Sequence, residues 1–270
     1  MSSNKKLLMI ALEEEMRGES LYAIPGSHSW TCPTGVTSVS VVCVGGGGAG
    51  SGGGGGLGYK NDYSVTPGNS YTVVVGKGGT YTATSSPVEG SNYGQQSYFV
   101  STSTVKGGGG NPGNYYGTGG SYTGDGGGNG GASGSGYGGG GAGGYSGNGG
   151  HANNGSGSGQ SGSGGGGGGA YEGNRSAGGG VGLFGQGSNG AGSSGNGTSG
   201  TGAGGGSGGE NAYRQVPSGT FSDQDQPPAP VFGGGGSDDL TEGSHGGNGA
   251  VRIIWPGDTR QFPTTDVGTP

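Results

Sequence analysis

Apolar side chains are scarce in this chain. Leu, Ile, Val and Phe together supply only 33 of its 270 residues, about 12 per cent, against the roughly 20 per cent below which chains rarely build an ordinary core. A conventional globular interior of this length is excluded. Basic groups are also few: 10 Lys and Arg face 16 Asp and Glu, for a net charge of −6. The electrostatic footprint of a phosphate-binding surface is missing, and so is the arginine density of an RGG-type RNA-binding tail. No nucleic-acid partner is expected. No stretch reaches the roughly 18 apolar residues of a membrane span, so membrane insertion is not expected either. The run Lys5 to Leu12 imitates the start of a signal peptide, but Glu13, Glu14 and Glu15 interrupt it.

Cysteine and histidine are rare. Cys32 and Cys43 are the only thiols, and His28, His151 and His245 are dispersed. Neither a disulfide framework nor a metal site is expected, and the cysteines read as reduced, small apolar residues. Proline is too sparse for collagen, with 12 residues and no Gly-X-Y frame.

What is abundant is glycine, 84 of 270 residues. Most strong β-formers lie before residue 106 or after 249. Val36 to Val44, Lys60 to Val65, Tyr71 to Val75, Tyr98 to Val105 and Ala250 to Trp255 read as strands, with Pro67-Gly68-Asn69 as a turn. The simplest arrangement is a small β-sandwich whose last strand returns after a long excursion. Residues 1–22 carry the pattern of a short amphipathic helix, with Leu7, Leu8, Ile10, Ala11 and Met16 apolar and Gly18 as a stop. A dozen residues hold a helix poorly in water, so this segment reads either as a piece that docks on a partner or as a frayed end.

Between those ends, glycine runs such as 107–110, 138–141, 164–169, 204–206 and 233–236 leave two readings. The tract is a flexible linker, or glycine is itself the building material. Ordering glycine backbone costs about 1 to 2 kcal/mol per residue, and each amide hydrogen bond returns about 1 kcal/mol. A lattice of polyglycine II helices, with three residues per turn and no internal hydrogen bonds, could recover that cost only through many neighbours and a pre-formed platform. The substituents are mostly Ser, Asn, Ala and Thr, and Lys, Glu and Pro are nearly absent between 126 and 209, which favours the ordered reading. In such a bundle Tyr122, Tyr137, Tyr145 and the Val181-Gly182-Leu183-Phe184 stretch are expected at helix ends or on an exposed rim.

The expected fold is therefore mainly β with irregular structure: a β-sandwich platform, a polyglycine II bundle and a short N-terminal helix. The expected division is an N-terminal attachment segment at 1–27, a β-platform at 28–106 and 250–256, a glycine-rich bundle with display loops at 107–249, and a C-terminal tail at 257–270.

The stretch Trp30-Thr31-Cys32-Pro33-Thr34-Gly35-Val36-Thr37-Ser38-Val39-Ser40-Val41-Val42-Cys43-Val44, followed by Gly45 to Gly48, resembles the opening of glycine-rich domains in phage tail-fibre and tail-associated proteins. Gly76-Lys77-Gly78-Gly79 fits the same pattern, as does the closing Gly246-Gly247-Asn248-Gly249-Ala250-Val251-Arg252-Ile253-Ile254-Trp255. Pro256 to Pro263 resembles the tails of such proteins in cyanophage-like viruses, and the glycine tract resembles the distal adhesins of T-even-like phages. Those adhesins begin with a separate attachment domain that this chain does not match, so their receptor loops do not transfer one to one. The resemblance implies a virion protein, made in the host cytoplasm, that attaches the particle to a host-surface saccharide or outer-membrane protein. It would join other tail-fibre subunits through its N-terminal segment and could form a homo-oligomer. The alternative is a self-assembling structural fibre subunit without a specific ligand.

For attachment, the expected display loops are glycine-poor and aromatic. Glu210 to Pro228 carries Tyr213, Arg214 and Phe221, a second segment carries Tyr171 and Arg175, and a third Tyr115 and Tyr116. Enzyme chemistry is not expected. Gly-x-Gly-x-x-Gly strings arise here from composition, and no Ser-His-Asp grouping stands out. Asp238, Asp239 and Glu242 could hold a cation, but they read more simply as solvated loop acids. No cofactor is expected.

Overall fold

The computed structural model describes residues 17–81, 92–113, 116–134, 138–152, 157–170, 177–193, 202, 204–206, 208–209, 232–236 and 245–264. Ten strands form two antiparallel sheets: β1 Gly18–Tyr22, β2 Gly26–Thr31, β3 Ser38–Val44, β4 Leu57–Ser64, β5 Ser70–Val75, β6 Ser97–Phe99, β7 Val105–Gly107, β8 Tyr122–Thr123, β9 Gly126–Gly128 and β10 Ala250–Trp255. One sheet has the order β1-β10-β3-β4-β9, the other β2-β5-β6-β7-β8.

The mainly β architecture is the expected one, and the last strand does return to pair with the first, since β10 lies between β1 and β3. Three expectations need correction. Residues 18–22 form strand β1, registered Gly18 to Trp255 and Tyr22 to Val251, where a helix over 1–22 was expected. The competing force is the free edge of β10, which the segment satisfies. Residues 1–16 lie outside the described residues, and among those described there is no α-helix. The single strand expected over 98–105 is two, because Val100 sits at φ 63 and turns the chain back from β6 into β7. Finally, strands begin before residue 28 and recur within 107–249, so platform and glycine region interleave along the sequence.

The two sheets differ in how they are covered. In the β2 sheet, polar Ser27, Ser29, Thr31 and Thr72 are exposed while Trp30, Val73 and Val75 are buried, the alternation of a sheet with one wet face. In the other sheet almost every residue of β3 and β10 is buried. Val39, Val41, Cys43, Val251 and Ile253 face Trp30, Val73, Val75, Phe99 and Val105 across the sandwich. Trp30 meets the Trp255 ring at 5.8 Å and Phe99 edge-on at 6.1 Å. Both cysteines are free and buried, and burial pushes the Cys43 thiol well above its ordinary range.

The opposite face of that sheet builds a second core. Val42, Val44, Leu57, Ala250 and Ile254 pack against Ala142, Tyr145, Val181, Leu183 and Phe232 of the glycine region and against Phe262. Tyr145, Val181 and Leu183 were expected at helix ends or on an exposed rim; all three are buried, so the exposed-rim alternative does not hold for them. The glycine runs turn here, beside the sheet, and a turn is where a run can carry a bulky side chain. The Tyr145 hydroxyl donates to the Gly182 carbonyl at 2.9 Å and accepts from the Gly185 amide at 3.3 Å. Phe262 stacks on its ring at 5.7 Å. Residues 257–264 are therefore docked rather than a loose tail. Asn61 exchanges two hydrogen bonds with the Phe262 backbone, and the Pro263 carbonyl accepts from Gln186. Buried Arg252 ties the same seam: it pairs with Glu19, donates to the Leu183 carbonyl at 3.0 Å and lies 4.5 Å from the Phe184 ring centre.

Beyond the sandwich, the glycine segments carry almost no strand or helix, yet their amides are paired. Gly45, Gly46 and Gly47 donate in turn to Gly56, Gln95 and Gly247; Gly48 then returns to the first neighbour, at Gly53, and Ala49 to the second, at Asn92. The carbonyls of Gly46, Gly47 and Gly48 accept from Gly110, Gly79 and Gly236. The direction of bonding thus recurs every three residues. The same interval links Gly52 and Gly55 to Gly236 and Gly233, Gly53 and Gly56 to Asn111 and Gly108, and Gly140 and Gly143 to Gly52 and Gly55. A β-ladder, with two sides, cannot do this.

Close approach is what the missing side chains allow. A Cβ on Gly47 would run into the Gly234 carbonyl, one on Gly54 into that of Gly141, and one on Gly141 into that of Gly167. Each obstacle is backbone in another run and cannot rotate away. Gly54→Ala should therefore lower the unfolding free energy by about 3 kcal/mol or more. Gly68→Ala, where nothing lies within 4 Å and only the φ of +81 resists, should cost about 1 kcal/mol. Urea unfolding followed by tryptophan fluorescence separates the two. Tyr145→Phe keeps the ring stack but strands the Gly182 carbonyl and Gly185 amide, and should cost about 1 to 2 kcal/mol in the same measurement.

Candidate end-face site

Chain direction decides what the glycine runs present. Run 45–48 leaves β3 and 52–56 returns to β4; 76–79 leaves β5 and the segment ending at Gln96 returns to β6; 107–111 leaves β7 and 117–121 returns to β8. Their outer ends meet at the pole opposite the sandwich. Gly50 and Ser51 turn there with φ of 51 and 49. Ala49 donates to Asn92 on one side of this turn, and Gly113 donates to Gly50 on the other.

Two side chains stand out from this end face. Tyr93 is 48% exposed and Tyr116 68%, while their neighbours are held by the lattice of amides. Gly94 donates to Gly110, and the Gly117 amide donates to the Ser133 hydroxyl at 2.6 Å, with the Ser133 amide returned to the Gly117 carbonyl. Asn111 and Thr118 lock the next pair of runs, amide to carbonyl at 2.9 Å and side chain to side chain at 2.6 Å. The side chains of Tyr93, Tyr116, Asn92, Asn111, Ser51, Thr118 and Ser133 bring phenol, amide and hydroxyl groups to this face. Among the described residues, no group of three or more His, Cys, Asp or Glu could hold a metal ion.

Of the residues singled out in the sequence, Tyr116 is described and exposed on this face. Tyr115, Tyr171, Arg175, Tyr213, Arg214 and Phe221 lie outside the described residues. Among the described residues, Ala170 donates to the Gly139 carbonyl and the Ala177 carbonyl accepts from Gly202. Phe232 belongs to the seam core with Val44, and Gly208 lies against Phe184, which covers Arg252 of β10. Tyr93 was missed in the sequence; its signal was an aromatic flanked by Asn92 and Gly94 in a segment returning to a strand.

No curated protein matches the chain. The family model of the glycine-rich domain matches residues 23–256, a span that takes in every described strand except β1 and the glycine network beyond the sandwich. The chain belongs to the glycine-rich domain family.

Proposed function

We propose that the glycine runs are polyglycine II helices packed side by side, and that this lattice is a rigid stalk presenting its end face to a host cell surface. The three-residue recurrence of the hydrogen bonds supports the helical reading, because three residues per turn aims each successive amide about 120° further round the axis. A run of five residues at about 3.1 Å each spans about 15 Å, and a six-residue strand about 20 Å. The end face therefore stands about 35 Å from the pole where Gly18 and Trp255 pair.

The observation that carries the attachment reading is this polarity. Residue 17 enters at the sandwich pole, next to the start of β1, and exposed Tyr93 and Tyr116 stand at the opposite one. A chain joined to a virion fibre through its N-terminal segment would point the aromatic face outward. Phenol rings with neighbouring amides and hydroxyls suit a polar, uncharged surface such as a saccharide or the outer loops of a membrane protein. A structural fibre subunit remains the second reading, because β1 and β2 are both sheet edges and an unpaired edge can template assembly.

Two measurements test the proposal. Hydrogen exchange reports the lattice: amides of Gly54, Gly141 and Gly167 should exchange slowly, and exchange at the rate of free chain would remove the scaffold. Binding reports attachment: the fluorescently labelled protein should bind intact cyanobacterial cells saturably. A Tyr93→Ala/Tyr116→Ala variant should bind at least about tenfold more weakly at unchanged stability. Equal binding by the variant, or polymerisation of the wild type with no cell binding, would favour the fibre reading.

A further inference from the structure

We propose that Asn, His and Ser side chains along the flanks of the glycine network act as lattice terminators, closing its sides to a second copy of this chain. The inference rests on the lattice reading above and is independent of the attachment reading.

An interior run satisfies its outward amides with the carbonyls of surrounding runs. At the flank no further run follows, and the structure repeatedly puts a side-chain acceptor there instead. The Asn129 amide donates to the Asn148 side-chain carbonyl at 3.0 Å, and the Ala132 amide, three residues on, donates to His151 Nδ1 at 2.9 Å. Backbone bonds between the same two runs repeat at the same interval, from Gly149 to Asn129 and from Ala152 to Ala132. A second pair of runs repeats the device: Gly78 donates to Asn248 Oδ1 and Tyr81 to His245 Nδ1, both at 2.9 Å. Single instances cap Gly165 with Asn189 Oδ1 and Gly192 with Ser161 Oγ.

Asn148 and His151 are exposed, so their side chains occupy the direction from which another run would approach. Without them, the Asn129 and Ala132 amides, three residues apart, would face solvent as unpaired donors to which the carbonyls of a second lattice could bond. That is the counterpart of an unprotected β-edge. The caps consume the donors and add bulk, so lateral growth loses both its hydrogen bonds and its close approach.

The test compares the full chain with Asn148→Gly/His151→Gly in sedimentation velocity at about 10 to 100 µM, alongside amide exchange. The wild type should sediment as one small discrete species. The double variant should form larger species that grow with concentration, and in dilute solution the Asn129 and Ala132 amides should exchange at least about tenfold faster. Asn148→Asp retains an acceptor and should behave as wild type in both measurements. Asn129→Gly removes a flank side chain that is not one of these acceptors and should not promote association. A wild type that itself polymerises, or a double variant that stays discrete, would overturn the inference. If the double variant loses protection throughout the network, the single variants decide: Asn148→Gly and His151→Gly must each speed exchange at their own partner amide and raise the sedimenting mass, and absence of either change overturns it. Slow exchange at Gly54 and Gly141 in the wild type keeps this outcome separate from failure of the lattice reading.

Discussion

The interior of the glycine region depends on backbone amides that are satisfied by backbone from another run. A polar group removed from water has to find a partner, and a glycine run offers no side chain either to supply one or to block one. Neighbouring runs can therefore come close enough for carbonyl and amide to meet directly, as Gly54 does with Gly131 and Gly141 with Gly150. The same absence makes the arrangement intolerant, since a methyl group on an interior glycine collides with a carbonyl in another run.

Such a network cannot start by itself. Its bonds join segments far apart in sequence, for example Gly47 with Gly247 and Gly55 with Gly233, and each long loop must close before its bonds form. The sandwich supplies the fixed ends. Strands β3 to β10 lead directly into or out of glycine segments, and the sheet containing β3 and β10 is buried on both faces because the network leans on one of them. Tyr145, Leu183, Phe232 and Phe262 anchor that contact. One cationic side chain crosses it as well, and a second ties the C-terminal segment to the sheet. Arg260 donates to the Gly18 and Trp255 carbonyls, and burial lowers its pKa from the ordinary arginine range, while Arg252 joins β10, Glu19 and the Leu183 turn.

The strands were legible where side chains carry the information. Val39, Val41 and Cys43 alternate with Ser38 and Ser40, and Tyr71 to Val75 and Ala250 to Trp255 read without difficulty. The strand at 18–22 was not legible, because Glu19, Leu21 and Tyr22 have no pattern of their own and are recruited by the edge of β10. Val42 and Val44 carried an unread signal, since apolar residues on both faces of a strand imply a cover on each side. The tyrosines misled for a physical reason. In a glycine-rich stretch a bulky residue must sit at a turn, but only the three-dimensional path tells whether that turn lies against the sheet, as at Tyr145, or at the open pole, as at Tyr116.

By itself, the sequence determined that side-chain burial could not organise the middle of this chain and that β-formers at its two ends would meet. Those conclusions follow from composition and from local periodicity, which need no knowledge of the path. Only the tertiary structure decided which amide meets which carbonyl, which pole carries Tyr93 and Tyr116, and which Asn and His cap the flanks. Glycines are identical to one another in sequence, so nothing local distinguishes one run's partners from another's; the distinction exists only once the sandwich has fixed where each run begins and ends.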